Sequence, residues 1–307
     1  MRTPGIVFAV ALSLVSLRAH ADAGPSKAWT AAKAGLPGDA ALVIGVDFAA
    51  LQKTQVYAAL YPRLRDKPRI GKMLEIFKSS CKIDLLPAVQ SFVVAGSSDQ
   101  DVVMYVAFNG VERTKLTSCL QIAGKQEAKG ARFSIKQDGD VTQITESDGT
   151  SFLGWAGKDV LVIAGQGTDR AALARWMGGH GALARSELGK FVAKVDTSAA
   201  MWGAGRVGNE VAPGLTVKTA YGAVKFASAR FDADIHAMAP SSSQAAAMAE
   251  LANQKIAAAS HDPQTPPQLT AILKGVQVAA AADELVIKAR LSEADLMGVL
   301  APVMGAL

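Results

Sequence analysis

Four short segments, Ala131 to Lys136, Val141 to Thr145, Ser151 to Ala156 and Val160 to Ala164, are separated by Asp138-Gly139, Asp148-Gly149 and Gly157-Lys158-Asp159. Asp-Gly supplies the positive φ that tight hairpin turns need, so this spacing predicts an antiparallel meander. Upstream, Val89 to Ala95 and Val102 to Phe108 flank the polar turn Gly96-Ser97-Ser98-Asp99-Gln100, a second hairpin signal. Ala41 to Phe48 reads as a further strand, and Leu51, Ala58, Leu60 and Leu64 follow at helical spacing. A helix over Thr168 to Met177, with Thr168 as its N-cap and Leu173 and Trp176 on one face, closes this half.

Gly178-Gly179-His180-Gly181 then interrupts the pattern and marks a candidate domain boundary. Beyond it, Ala199 to Gly205, Val217 to Val224 and Ala227 to Ala237 read as strands. A helix over Ser242 to Ala258 opens on the pair Ser241 and Gln244. After the Pro-rich loop around Pro263, Pro266 and Pro267 come strands at Val276 to Ala281 and Leu285 to Leu291, then a last helix from Ser292. Neither half shows the alternation of strand and helix that a parallel sheet requires. The expectation is an α+β protein of two domains, residues 24–178 and 185–307, each an antiparallel meander sheet with helices packed on one face.

The first 21 residues read as a secretory signal peptide. Arg2 provides a positive start, Ile6 to Leu17 an apolar stretch, and Ala19-His20-Ala21 a cleavage box, with Ala21-Asp22-Ala23 a second box two residues on. The apolar stretch falls short of the ~20 residues that span a bilayer. No Cys follows either box, which removes the signature of a lipoprotein anchor, and no later apolar run is long enough to cross a membrane. The chain is therefore expected to be exported, to the periplasm or beyond the cell. The formal charge of +5 is spread along the sequence, so nucleic acid is not an expected partner.

Export gives the two cysteines a meaning they would lack in the cytosol, because an oxidising compartment allows a pair to close. Ile70, Met73, Leu74, Phe77 and Cys81 fall on one stripe of a helix, and Leu116, Cys119 and Leu120 do the same on a second. If those stripes pack together the sulfurs can meet; the alternative is two buried free thiols. Neither cysteine has a second Cys or a His at zinc-ligand spacing.

Catalytic signatures are sparse, and no catalytic, cofactor or metal residue is assigned. Gly203-Ala204-Gly205-Arg206-Val207-Gly208 matches G-x-G-x-x-G, but Asn209 to Gly214 reads as loop where a phosphate-binding helix should begin. Gly165-Gln166-Gly167 before the Thr168 helix reads as a tight turn rather than an anion cradle, and Ser79-Ser80-Cys81-Lys82 contains S-x-x-K without its partner motifs. Asp232, Asp234 and His236 alternate on one strand and share a face. Phe231, Ala233, Ile235 and Ala237 form the opposite face, so the polar trio reads as the solvated side of a half-buried strand, with a weak divalent site as the alternative.

The densest charge lies at Pro62 to Lys72, where Arg63, Arg65, Lys67, Arg69 and Lys72 meet only Asp66. It reads as an exposed basic connection between two helices. It is a candidate contact for anionic envelope lipid or acidic polysaccharide, since clustered cations raise the local potential. Only Tyr61 is aromatic nearby, which argues against a single-strand nucleic-acid groove.

The stretch Ser80-Cys81-Lys82-Ile83-Asp84-Leu85-Leu86-Pro87, followed by two strands and Cys119 on a helix, resembles exported two-domain proteins of myxobacteria and related bacteria. In these a C-x-x-D-x-x-P turn precedes a hairpin and the second Cys follows it. The resemblance covers mainly residues 41–178 and implies export and the Cys81–Cys119 bridge, with no activity attached; Lys82 stands where Gly is expected. The sequence thus points to a non-catalytic envelope or secreted binding protein, the competing class being an exported enzyme such as a hydrolase. A deep pocket with convergent titratable groups would favour the enzyme.

Overall fold

A computed structural model describes residues 24–97, 102–127, 134–146, 149–165, 167–227 and 229–298. The signal-peptide reading and the turn residues Ser98 to Gln100 and Asp148 lie outside them. In chain order the first half comprises α1 (Lys27–Gly35), β1 (Leu42–Asp47), α2 (Phe48–Leu51), α3 (Gln55–Asp66), α4 (Pro68–Cys81) and α5 (Leu85–Ala88). It continues with β2 (Val89–Gly96), β3 (Val102–Phe108), α6 (Arg113–Glu127), β4 (Ser134–Asp138), β5 (Val141–Glu146), β6 (Gly149–Ala156), β7 (Val160–Ala164) and α7 (Arg170–Met177). The second half comprises α8 (Glu187–Val192), β8 (Met201–Ala212), β9 (Leu215–Ala227), β10 (Arg230–Met238), α9 (Ser242–His261), α10 (Pro267–Lys274), β11 (Val276–Ala281) and β12 (Glu284–Ser292). A helical stretch over 293–298 follows.

The α+β class holds, but the expected pair of sheets does not. The described strands form one 12-stranded sheet in the order β11-β12-β10-β9-β8-β1-β2-β3-β7-β6-β5-β4. The two meanders join because β1 pairs antiparallel with β2 on one side and with β8 on the other. Val43 and Gly45 of β1 are buried on one face, while Leu42 and Ile44 on the other are exposed. The glycine stretch read as a boundary packs against the first half: Gly181 N–H donates to Ala34 O at 2.8 Å.

Helices also cover both faces rather than one. Val43, Val93, Ala95, Val103, Tyr105 and Val162, each fully buried, point to one face, where they pack with residues of α1, α7 and α8. Trp29 of α1 meets Trp202 of β8 edge-on there, at 4.7 Å between centroids. The buried Tyr105 hydroxyl donates to Trp176 O at 3.1 Å, and burial pushes its phenol pKa well up. The alternate positions Val106, Phe108, Leu153, Trp155 and Leu161 pack on the other face with Phe77 and Cys81 of α4 and Leu116 and Cys119 of α6. In the second half α9 packs Ala245, Met248 and Ala249 against a cluster that includes Ala237 and Leu285.

Glycine supplies the positive φ of two meander turns, 58° at Gly139 of the Asp138-Gly139 pair and 77° at Gly157, which follows Ala156. Three local readings shift. Asp169, not Thr168, caps α7, its carboxylate accepting from Ala172 N. The segment Asn209 to Ala212, expected as loop, continues β8, and α10 begins inside the Pro-rich loop with Pro267 at its first turn.

Candidate functional site

The basic run is a helical corner. Arg63 and Arg65 occupy the last turn of α3, Lys67 is the residue between the helices, and Arg69 and Lys72 lie at the start of α4. Pro68 at the first turn of α4 accounts for the break, because proline lacks the N–H that would continue α3. Arg63, Arg65, Lys67 and Lys72 are exposed, and Arg65 and Asp66 form a loose pair at 3.9 Å. The first turn of α4 holds no acidic residue, while Arg63 and Arg65 sit at the negative end of the α3 dipole, so the two helix ends at the corner offset each other.

Cys81 and Cys119 are joined in a disulfide, with Cα atoms 5.7 Å apart. It ties the end of α4 to α6 inside the second-face core. Lys82 caps α4 in the left-handed region at φ 55°, ψ 36°. The S-x-x-K pattern therefore ends at a helix cap, with a bridged cysteine inside it.

Asp232, Asp234 and His236 do share a face, beside a polar cleft of about 630 Å³ that also involves Lys194, Tyr221 and Arg290. They do not converge on one point. Asp232 receives Arg230 Nε at 3.0 Å and Arg290 Nε at 3.1 Å. His236 lies between two carboxylates, with Nδ1 3.0 Å from Glu284 Oε2 and Nε2 3.3 Å from Asp234 Oδ1. Its ring stacks on Tyr221, centroids 4.8 Å apart. Glu284 also accepts from Tyr221 Oη at 2.9 Å and Lys194 Nζ at 2.9 Å. Burial alone would raise the Glu284 carboxyl, but the hydrogen bonds from Lys194, Tyr221 and His236 outweigh it and hold the pKa below the usual carboxylate value. The Glu284 hydrogen bond raises Lys194 in turn.

This arrangement is a closed network of paired charges. No Ser or Cys nucleophile takes part in it, and among the described residues no group of three or more His, Cys, Asp or Glu is placed to hold a metal ion. Glu284 and Lys194 escaped the sequence reading because Glu284 reaches His236 from 48 positions away and Lys194 joins only through Glu284, 90 positions from it, with no local signal.

The remaining motifs are structural. The G-x-G-x-x-G stretch lies within β8, where no helix N-terminus follows it. The start of α7 lines a cleft of about 390 Å³ with Arg175 and His180, but the Asp169 carboxylate already caps that helix. Among the described residues no helix is long and apolar enough to cross a membrane.

No protein-family model and no curated protein matches the chain. Solved structures do: crystal form IV of the treponemal protein TP0453 is similar at a TM-score of 0.51 and 10% identity, covering 90% of this chain and 99% of that one. Crystal form III gives a TM-score of 0.50 at 9% identity, covering 88% and 97%. At this identity the likeness is one of fold.

Proposed function

We propose that the protein is an exported, non-catalytic binding protein of the envelope or its surroundings that contacts anionic lipid or acidic polysaccharide through the α3–α4 corner. The observation that carries this reading is the corner itself. Exposed cations from two helices, Arg63 and Arg65 of α3 and Lys72 of α4, gather there with Lys67 between them. The His236 network supports the non-catalytic side, because its charges are spent on one another.

The test is association with anionic vesicles or an acidic polymer across a salt series. Exposed charges are screened beyond ~8 Å at physiological ionic strength, so binding should weaken steeply between low and physiological salt. Replacing Arg63, Arg65 and Arg69 together with Ser should remove most of it. Each surface change shifts stability by less than ~0.5 kcal/mol, so melting should hardly move. A triple variant that binds like the wild type defeats the proposal.

A further inference from the structure

The His236 network closes on itself, but the cleft beside it holds more positive charge than its carboxylates neutralise. Every acid that lines this cleft is engaged. Asp196 pairs with Lys225 at 2.5 Å, Asp232 is shared by Arg230 and Arg290, and Asp234 meets His236 at 3.3 Å. Lys194 is taken up by Glu284. Lys274 and Lys288 line the same cleft, and neither has an acidic partner among the described residues. Lys274 closes α10, where a basic side chain offsets the negative helix end. Lys288 stands opposite Asp234 in the sheet, but that carboxylate meets His236 and forms no ion pair with it. Pairing register places a third group beside them: Asp234 of β10, Lys288 of β12 and Gln277 of β11 are successive neighbours, all exposed, with cross-strand partners ~5 Å apart. One row across three strands thus offers a carboxylate acceptor, an ammonium and an amide. Apart from Tyr221, the cleft has no apolar side chain larger than valine.

We propose that this cleft binds one sugar unit bearing a single anionic group, the anion at Lys288 and Lys274 and the hydroxyls at Asp234 and Gln277. Three observations select that occupant. The volume of about 630 Å³ lies within the ~300–1,000 Å³ of small-molecule sites. The surplus of charge is cationic and sits on two neighbouring lysines, which calls for an anion rather than a cation or a neutral molecule. The lining is polar, with a carboxylate and an amide beside those lysines to meet hydroxyl groups, and it gives an alkyl chain nothing to pack on. The cleft is built by α10, β10, β11 and β12, far in sequence from the α3–α4 corner, so the two readings stand or fall independently.

The experiment titrates the protein with glucuronate, with glucose phosphorylated at its terminal carbon, with glucose and with inorganic phosphate, each to millimolar concentration, read by calorimetry. Saturable binding of one equivalent is expected for at least one of the two charged sugars, at least tenfold tighter than for glucose or phosphate. Preference for glucuronate assigns the cleft to a sugar acid, and preference for the phosphorylated sugar assigns it to a sugar phosphate. Lys288→Gln should weaken that binding at least tenfold and Lys274→Gln several-fold. Both side chains are exposed, so melting should hardly move. If Lys288→Gln melts early, Gln277→Ala, at an exposed position of the edge strand β11, should still give a several-fold loss. The Arg63, Arg65 and Arg69 to Ser variant should bind the sugar as the wild type does. Absence of saturable binding overturns the proposal, as does binding of glucose or phosphate as tight as that of the charged sugars. So does full binding by folded Lys288→Gln or, where that variant melts early, by Gln277→Ala.

Discussion

Reducing the Cys81–Cys119 bridge should destabilise the protein by about 4 kcal/mol, the chain-entropy value for cysteines 38 residues apart. Both sulfurs are buried, at 8% and 1% residue exposure, among Phe77, Leu116 and Trp155. Reduction leaves two thiols in the same space and opens no cavity, so the loss comes from freeing the unfolded chain rather than from repacking the core. For a chain of 307 residues, unfolding entropy of ~2.1 cal/mol/K per residue converts 4 kcal/mol into a drop in Tm of roughly 6 °C. The assay is urea unfolding followed by tryptophan emission, with and without reductant, beside a Cys81→Ala, Cys119→Ala double variant. The denaturant slope should rise on reduction, because the uncrosslinked unfolded state exposes more surface. The double variant should fall slightly further, by the small cavities it leaves. Equal midpoints and slopes in the oxidised and reduced protein would refute the argument.

Lys82→Gly should stabilise the protein by roughly 0.5–1 kcal/mol. A left-handed non-Gly residue costs ~1–2 kcal/mol, part of which glycine returns as unfolded-state entropy; a lower unfolding midpoint in the variant would count against the cap. Gly45→Ala should destabilise by at least ~1–3 kcal/mol, since a Cβ there would lie 2.2 Å from the Trp202 ring. A melt within 1 °C or so of wild type would mean that Trp202 moves freely. Glu284 should contribute to the acid limb of stability. Its folded pKa is depressed, so its contribution is present above the unfolded value of about 4.3 and is lost as pH falls through the folded one. In Glu284→Gln that part of the acid limb should vanish, as denaturation at a series of pH values would show.

What could be read in advance follows from how local each signal is. The 134–164 meander was legible because its turn residues encode their own backbone angles, as Gly139 and Gly157 confirm. The disulfide was legible because both cysteines ride apolar stripes. The extension of β8 past Gly205 was not: Arg206 to Ala212 is polar and glycine-rich, and it is held as strand by pairing with β9 through bulges after Arg206 and Glu210. The start of α10 was hidden because Pro266-Pro267 reads as loop, although proline at a first helical turn is favourable. The His236 face was visible by alternation, whereas its partners Glu284 and Lys194 arrive only through tertiary contact. The glycine motif of β8 was in plain view, but its place in the sheet depends on the register of β8 against β1 and β9.

β1 explains why one sheet forms and why part of it stays uncovered. It inserts between β2 and β8, strands that begin 112 residues apart, so the two meanders cannot separate without breaking a ladder on one side of it. Gly45 allows the join, because the Trp202 ring lies over that position, and Trp29 of α1 packs edge-on against the same ring. The covering helices of the first face therefore meet over the seam. On the second face each half brings its own helices, α4 and α6 to one end and α9 to the other, while Leu42 and Ile44 at the start of β1 remain exposed. A continuous sheet assembled from two helix-covered halves leaves its apolar remainder at the junction, where Leu42 and Ile44 face the glycines of β8.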